Sequence, residues 1–163
     1  MANSPKLRRG FASRRSGFAV CWLGFVLTMP IFAQQISPSE TTAQVLDHHL
    51  AAFGSLDMDA ILEDYTDNST ILTPNGAVKG LAEIRSAFAE LFAEFGKPGA
   101  TFEMKQKIIE GNVAYILWTA QTADNIYELG TDTFVIRESK IAVQSFTPKT
   151  VPKEKSAYWI PGI

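Results

Sequence analysis

Two side chains carry most of the chemistry this sequence offers. His49 interrupts a helical stripe of Val45, Leu46, Leu50 and Phe53, and Asp132 lies mid-way along an extended run between Thr131 and Thr133. An imidazole titrates near neutrality, and a carboxylate beside it can orient it as a general base or acid. Alternatively, an aspartate in apolar surroundings stays protonated and donates a hydrogen bond to a ligand carbonyl. Gln144, Tyr65 and Thr119 are the polar groups that would then position a ligand. Each has a plainer reading. A lone histidine on an apolar helix face commonly packs as a wall residue, and an aspartate in a strand can equally be a hydrogen-bond hub or face solvent. Tyr65 is expected to pack, with its hydroxyl at a pocket wall.

Other polar clusters point away from chemistry. Neighbouring His48 and His49 project about 100° apart on a helix, and these are the only two histidines, so no metal site is expected. Nor does any motif call for a cofactor. The acids Asp57, Asp59, Glu63, Asp64 and Asp67 read as a solvated face and a helix N-terminus. Asn68-Ser69-Thr70 is a glycosylation sequon, relevant only in a glycosylating host.

The elements that must position these residues follow from the patterning. Ser37-Pro38-Ser39-Glu40 predicts a capped helix start, with the helix running to Phe53 and stopping at Gly54. On it, Gln44, Asp47, His48 and Ala51 face away from the apolar stripe. Asp57 caps a short second helix, Met58 to about Tyr65; Ser69 to Thr73 is a short strand, and Pro74-Asn75-Gly76 a turn. Gly80 opens a helix whose Ile84, Ala87, Phe88, Leu91, Phe92 and Phe95 keep helical spacing until Gly96-Lys97-Pro98.

Beyond Pro98 the period falls to two. Thr101 to Ile109, Val113 to Thr122, Tyr127 to Ile136 and Ile141 to Phe146 predict an antiparallel meander. The fold class is therefore α+β, with three N-terminal helices packed on one face of a curved, mainly antiparallel sheet. Alternation places Asp132, Phe134 and Ile136 on one strand face, and Gln144 with Ala142 and Phe146 on another. Tyr115, Leu117, Thr119 and Gln121 share a face of the strand before Asp132. Trp118 falls opposite Thr119 and reads as an interface aromatic.

The N-terminus reads as an export signal. Lys6, Arg8, Arg9, Arg14 and Arg15 precede an apolar run from Gly17 to Ala33, broken by Pro30 and ending on a small residue. That run is short for a membrane span, which needs roughly 20 apolar residues. Leu7-Arg8-Arg9-Gly10-Phe11-Ala12 is similar to a twin-arginine export motif, so both the general and the twin-arginine routes stay open. The expected organisation is a signal at 1–33 cleaved near Ala33, a linker at 34–36, a domain at 37–148 and a tail at 149–163, in the periplasm or secreted. Cys21, the only cysteine, lies in the signal, so the mature domain has no disulfide. Five of the 15 basic residues also lie there and none of the 17 acids, which leaves ten against 17, a net of −7. An acidic domain without a basic stripe is a poor partner for nucleic acid or for an anionic membrane surface.

The mature chain resembles the nuclear-transport-factor-2-like superfamily in its SnoaL-like branch. The resemblance rests on Asp57-Met58-Asp59-Ala60-Ile61, Tyr65-Thr66-Asp67-Asn68-Ser69, Thr73-Pro74-Asn75-Gly76, Gly80 to Ile84-Arg85 with Phe88, and Gly130-Thr131-Asp132-Thr133-Phe134 with Lys140-Ile141. It spans roughly Ser37 to Phe146. It implies a cone-shaped α+β roll, a pocket between helices and concave sheet, and a homodimer through the convex sheet face. The fold hosts isomerases, dehydratases, cyclases, epoxide hydrolases, transport factors and bare assembly domains, so it fixes no function.

By that resemblance the pocket would receive His49 and Asp132 as catalytic candidates, with Tyr65, Thr73, Tyr115, Thr119, Phe134 and Gln144 as ligand contacts. In the steroid-isomerase branch, His49 falls where a tyrosine donor stands and Asp132 where a protonated aspartate stands. The general base of that branch is an aspartate before a proline; here Thr73 precedes Pro74. A threonine hydroxyl is far too weak a base to take a proton from carbon, so steroid isomerisation is not expected. The expected ligand is small and apolar or carbonyl-containing. The competing expectation is a homodimeric assembly module with a vestigial pocket.

Overall fold

A computed structural model describes residues 38–153. The expected signal, the linker, the Ser37 cap and the last ten residues, with Ala157-Tyr158-Trp159-Ile160, lie outside them. The elements run α1 (Pro38–Ser55), α2 (Met58–Glu63), β1 (Thr70–Thr73), β2 (Gly76–Lys79), α3 (Gly80–Phe95), β3 (Thr101–Glu110), β4 (Val113–Gln121), β5 (Asn125–Arg137) and β6 (Lys140–Pro152). They form one six-stranded sheet in the order β2-β1-β6-β5-β4-β3. All strand pairs are antiparallel except β1 with β6.

Each helix end has a local cause. Asp57 caps α2, its carboxylate accepting from the backbone N–H of Asp59 (3.1 Å) and Ala60 (3.0 Å). At the start of α3 the Glu83 carboxylate accepts from the Lys79 N–H at 2.8 Å. Gly80 has φ +73°, and a Cβ there would come within 3.1 Å of the Asp67 carbonyl, so the entry into α3 needs glycine.

Two differences from the sequence reading concern strands. Gly76–Lys79 is a strand paired with β1, where only a turn was expected. It is four residues long with just Val78 partly buried, so it offers too little alternation to register. The last strand continues past Phe146 to Pro152, which pairs with Asn125; residues 149–152, expected as tail, are sheet.

Register shifts bend the sheet. They fall between Met104 and Gln106, Trp118 and Ala120, Tyr127 and Leu129, and Val135 and Ile136. The helices lie on the concave face. Leu46, Ile61, Ile84, Phe134 and Ile141 form the driest part of the core. Each such side chain contributes about 1.5–3 kcal/mol by leaving water. Backbone and hydroxyl contacts fix the helices to the sheet. Thr42 Oγ1 donates to the Gly111 carbonyl (3.0 Å), Ser69 Oγ to the Ile141 carbonyl (2.6 Å), and the Ile141 N–H to the Asp64 carbonyl (2.7 Å). The last of these sets where α2 ends and therefore where the Asp64 side chain stands.

Candidate ligand cavity

The pairing of β4, β5 and β6 decides which side chains meet. Asp132 pairs with Ile116 on one side and Phe146 on the other; Phe134 pairs with Gln144, and Trp118 with Gly130. Paired residues share a face, so Asp132, Phe134, Gln144, Ile116 and Trp118 all point inward. His49, from α1, arrives over them. Its ring makes edge contacts with Phe134 (5.2 Å between centroids), Tyr65 (5.8 Å) and Phe88 (5.9 Å).

The polar groups form a chain. The Tyr65 hydroxyl donates to Gln144 Oε1; Gln144 Nε2 donates to Asp132 Oδ1 at 2.8 Å; Trp118 Nε1 donates to Asp132 Oδ2 at 2.7 Å. All four residues are buried. Burial pushes the Asp132 carboxyl up from its ordinary range, and the Gln144 and Trp118 hydrogen bonds and the nearby His49 only partly offset it. Burial, then the Asp132 and Asp64 charges, push the Tyr65 hydroxyl well up, so it is a donor and not a base.

Trp118 reaches Asp132 because of what lies beneath it. A Cβ on Gly130 would fall 2.2 Å from the indole ring, so the ring lies flat on glycine backbone. Phe102 and Phe146 pack against the same indole at 5.3 and 6.2 Å between centroids.

Several expected placements change. Trp118, expected on the outer face, is an inner-face residue and an Asp132 donor, because Asp132 pairs with Ile116 in the actual register. For the same reason Tyr115 and Thr119 sit on the opposite face and do not line the cavity. Thr73 is not inside either. Its hydroxyl accepts from the Asn75 N–H (3.2 Å) and donates to the Gly76 carbonyl (3.0 Å), closing the β1–β2 turn at the rim of an outer groove.

The pairing of His49 with an acid also differs. Both oxygens of Asp132 are taken by Gln144 and Trp118, and no hydrogen bond joins Asp132 to His49 among the described contacts. The carboxylate nearest the His49 ring is Asp64, with Nδ1 and Oδ2 3.5 Å apart. That is outside hydrogen-bond reach, and both atoms are buried without a hydrogen-bond partner. Asp64 is not on a solvated face: its side chain is 7% exposed, and its other oxygen bonds His48 Nδ1 at 2.8 Å. The sequence signal for Asp64 was present in Asp64-Tyr65 ending a short helix, but nothing local distinguishes it from its acidic neighbours. Among the described residues no group of three or more His, Cys, Asp or Glu is placed to hold a metal ion.

The cavity between His49, Asp132, Phe134 and Gln144 has a volume of about 50 Å³, room for a few waters. It adjoins a groove of about 420 Å³ between α3 and the β1–β2 hairpin; Phe88, Leu91, Gln144 and Phe146 line both. A second groove of about 310 Å³, wholly apolar in side chains but for Thr101, adjoins it through Leu50, Phe53, Phe95 and Phe102.

On this architecture the family is clear. The chain belongs to the SnoaL-like domain family, whose model matches residues 46–144. The search of curated proteins finds no match. Solved structures show the same nuclear-transport-factor-2-like fold at low identity. An NTF2-like protein of unknown function from Mesorhizobium loti is 20% identical, with 71% of this chain and 96% of that one covered at a TM-score of 0.61. A SnoaL-like protein of unknown function from Burkholderia thailandensis is 16% identical, with 67% and 94% covered at 0.54. An LEH-like epoxide hydrolase from M. tuberculosis is 10% identical, with 68% and 84% covered at 0.55.

Proposed function

We propose that this is an exported small-molecule-binding SnoaL-like domain in which a ligand's apolar body occupies the groove between α3 and the β1–β2 hairpin and its polar end reaches the inner cavity. The observation that carries the reading is the buried chain Tyr65–Gln144–Asp132–Trp118, of which Gln144, Asp132 and Trp118 line, with His49, an otherwise aromatic and aliphatic chamber. Buried polar groups cost free energy unless satisfied, and a vestigial pocket would do better with apolar filling. Gln144 is the polar residue that lines both the cavity and the groove, so a carbonyl or hydroxyl passing from one to the other meets it. His49, an imidazole lining the cavity, is the residue available for proton transfer, in a reaction of isomerase, dehydratase or hydrolase type.

The test is a thermal-shift comparison across a panel of apolar carbonyl compounds, wild type against His49→Ala. The reading expects at least one compound to stabilise the wild type and not the variant. No His49-dependent shift with any of them favours a non-catalytic assembly module instead.

We also infer a homodimer through the convex sheet face. Ile108, Ile126, Leu129 and Val151 are exposed apolar residues of β3, β5 and β6, and Tyr115, Leu117, Thr131 and Thr133 add an uncharged surface between them. Light scattering should give twice the monomer mass for the wild type and the monomer mass for Ile108→Lys; a monomeric wild type contradicts it. Export, with cleavage near Ala33, is supported by the N-terminal charge and hydropathy pattern, and N-terminal sequencing of the protein from its host would test it.

A further inference from the structure

Asp64 stands between two imidazoles and satisfies only one of them. Its Oδ1 accepts from His48 Nδ1 at 2.8 Å, and its Oδ2 faces His49 Nδ1 at 3.5 Å, both atoms of that second pair buried and unbonded. His48 is 45% exposed, whereas the His49 side chain is 5% exposed and lines the cavity. One carboxylate thus links a solvent-facing histidine to a cavity histidine that follows it in sequence. Neighbours 100° apart on a helix can do this only because the α2 terminus places Asp64 in the angle between them.

An unpaired buried N and an unpaired buried O facing one another have one economical arrangement. With a proton on His49 Nδ1, the pair attracts; with Nδ1 bare, two lone pairs oppose each other in a low-dielectric site. The other groups facing His49 do not change this. Tyr65, from the segment after α2, donates its hydroxyl to Gln144; Asp132, from β5, is occupied by Gln144 and Trp118; α3 and β5 otherwise present Phe88 and Phe134.

We propose that Asp64 is a positioning residue for His49: it holds the ring in the tautomer whose Nδ1 carries the proton, which leaves the Nε2 lone pair for the cavity, while His48 takes the other oxygen of Asp64 on the solvent side. The consequence for function rests on the reading of the cavity as a ligand site, since a bare Nε2 there is a proton acceptor and not a donor. A ligand that closes the site needs to shorten the Nδ1–Oδ2 separation by only about half an ångström to reach hydrogen-bond length.

The experiment needs no ligand, so its failure and that of the ligand reading are distinguishable. The ring nitrogens of 15N-histidine-labelled protein are observed by long-range 1H–15N correlation at a pH where the rings are neutral. His48 and His49 are assigned with the His48→Ala variant. The expected wild-type spectrum shows His49 with Nδ1 protonated and Nε2 bare, against the usual preference of the free ring. Asp64→Leu, nearly isosteric and apolar, is expected to abolish that pattern in favour of protonated Nε2. His48→Ala, on the exposed helix face, is expected to keep it, because Asp64 remains. A wild-type His49 with protonated Nε2 overturns the proposal outright, whether or not the Asp64 variant folds; so does an Asp64→Leu protein that keeps protonated Nδ1.

Discussion

Two carboxylates, one at the end of a helix and one in the middle of a strand, are both held by hydrogen bonds, and their pKa values shift in opposite directions. Glu94, in the last turn of α3, accepts from Thr122 Oγ1 and Asn125 Nδ2 at 2.7 Å each and from the Tyr127 hydroxyl at 2.8 Å. Partial burial works against its charge, but the bonds from Asn125, Thr122 and Tyr127 outweigh that and lower its pKa. Asp132 has two donors and almost no exposure, and burial wins: its pKa is raised. The difference teaches which polar cluster holds the fold and which is held by it. Glu94 joins a helix end to the β4–β5 hairpin and is stabilised as an anion. Asp132 is an aspartate kept in a place that disfavours its charge, which is what a site for a polar ligand end requires and what a structural tie does not.

The largest expected effect breaks the Asp132 side. Gly130→Ala puts a Cβ into the Trp118 indole, and the ring cannot move without losing its bond to Asp132. Overpacking of this kind is expected to destabilise by about 2–3 kcal/mol in urea unfolding; a change within error would mean the indole does not lie on Gly130.

Next comes Glu94→Gln, expected to cost about 1–2 kcal/mol near neutral pH, since three hydrogen bonds lose their charged acceptor. Because the folded pKa of Glu94 is the lower one, its stabilisation is complete above the unfolded value of about 4.3 and is lost as pH falls through the folded value. The variant should therefore lose that part of the acid sensitivity. Asp132 has the opposite sign: its raised folded pKa means stability is lost as pH rises from about 3.9 through the folded value. Unfolding free energies of wild type, Glu94→Gln and Asp132→Asn, measured from pH 3 to 8, sharpen the comparison directly.

Smaller still are the two phenols. Tyr127→Phe and Tyr65→Phe each remove one hydrogen bond and should cost about 1 kcal/mol. Only Tyr65→Phe should alter ligand-induced thermal shifts. Smallest is Thr73→Ala, whose hydroxyl serves an exposed turn; its cost is expected to stay below about 0.5 kcal/mol, with ligand shifts unchanged. A large loss of binding in Thr73→Ala would mean that the hydroxyl at the groove rim, and not Gln144 alone, meets a polar group of the ligand.

The fold was legible where periodicity runs long. The gap-free stripe from Ile84 to Phe95 and the four alternating runs after Pro98 are the observed α3 and meander. The inward set of the last two strands, Asp132, Phe134, Gln144 and Phe146, also followed from alternation. What failed was the phase between strands. Alternation says that Trp118 and Thr119 face opposite ways but not which faces the helices, and in β4 the two aromatics, Tyr115 and Trp118, fall on opposite sides. Gly130 held the answer: a glycine opposite a tryptophan marks where the large ring must lie down. Asp64 was illegible for another reason. Its role depends on two helices crossing at a set angle, and no local pattern within either helix records that.

The most direct measurement compares Asp132→Asn with Glu94→Gln in two readouts, unfolding free energy and ligand-induced thermal shift with the apolar carbonyl panel. If Asp132 belongs to a ligand site, Asp132→Asn removes the ligand shift, at a stability cost of about 1–3 kcal/mol because the amide leaves one of the Gln144 and Trp118 donors without an acceptor, while Glu94→Gln, at a residue that borders the outer groove but spends its carboxylate on the β4–β5 hairpin, loses stability and keeps the shift. An Asp132→Asn protein that keeps its ligand shifts would make Asp132 a structural tie and contradict the account.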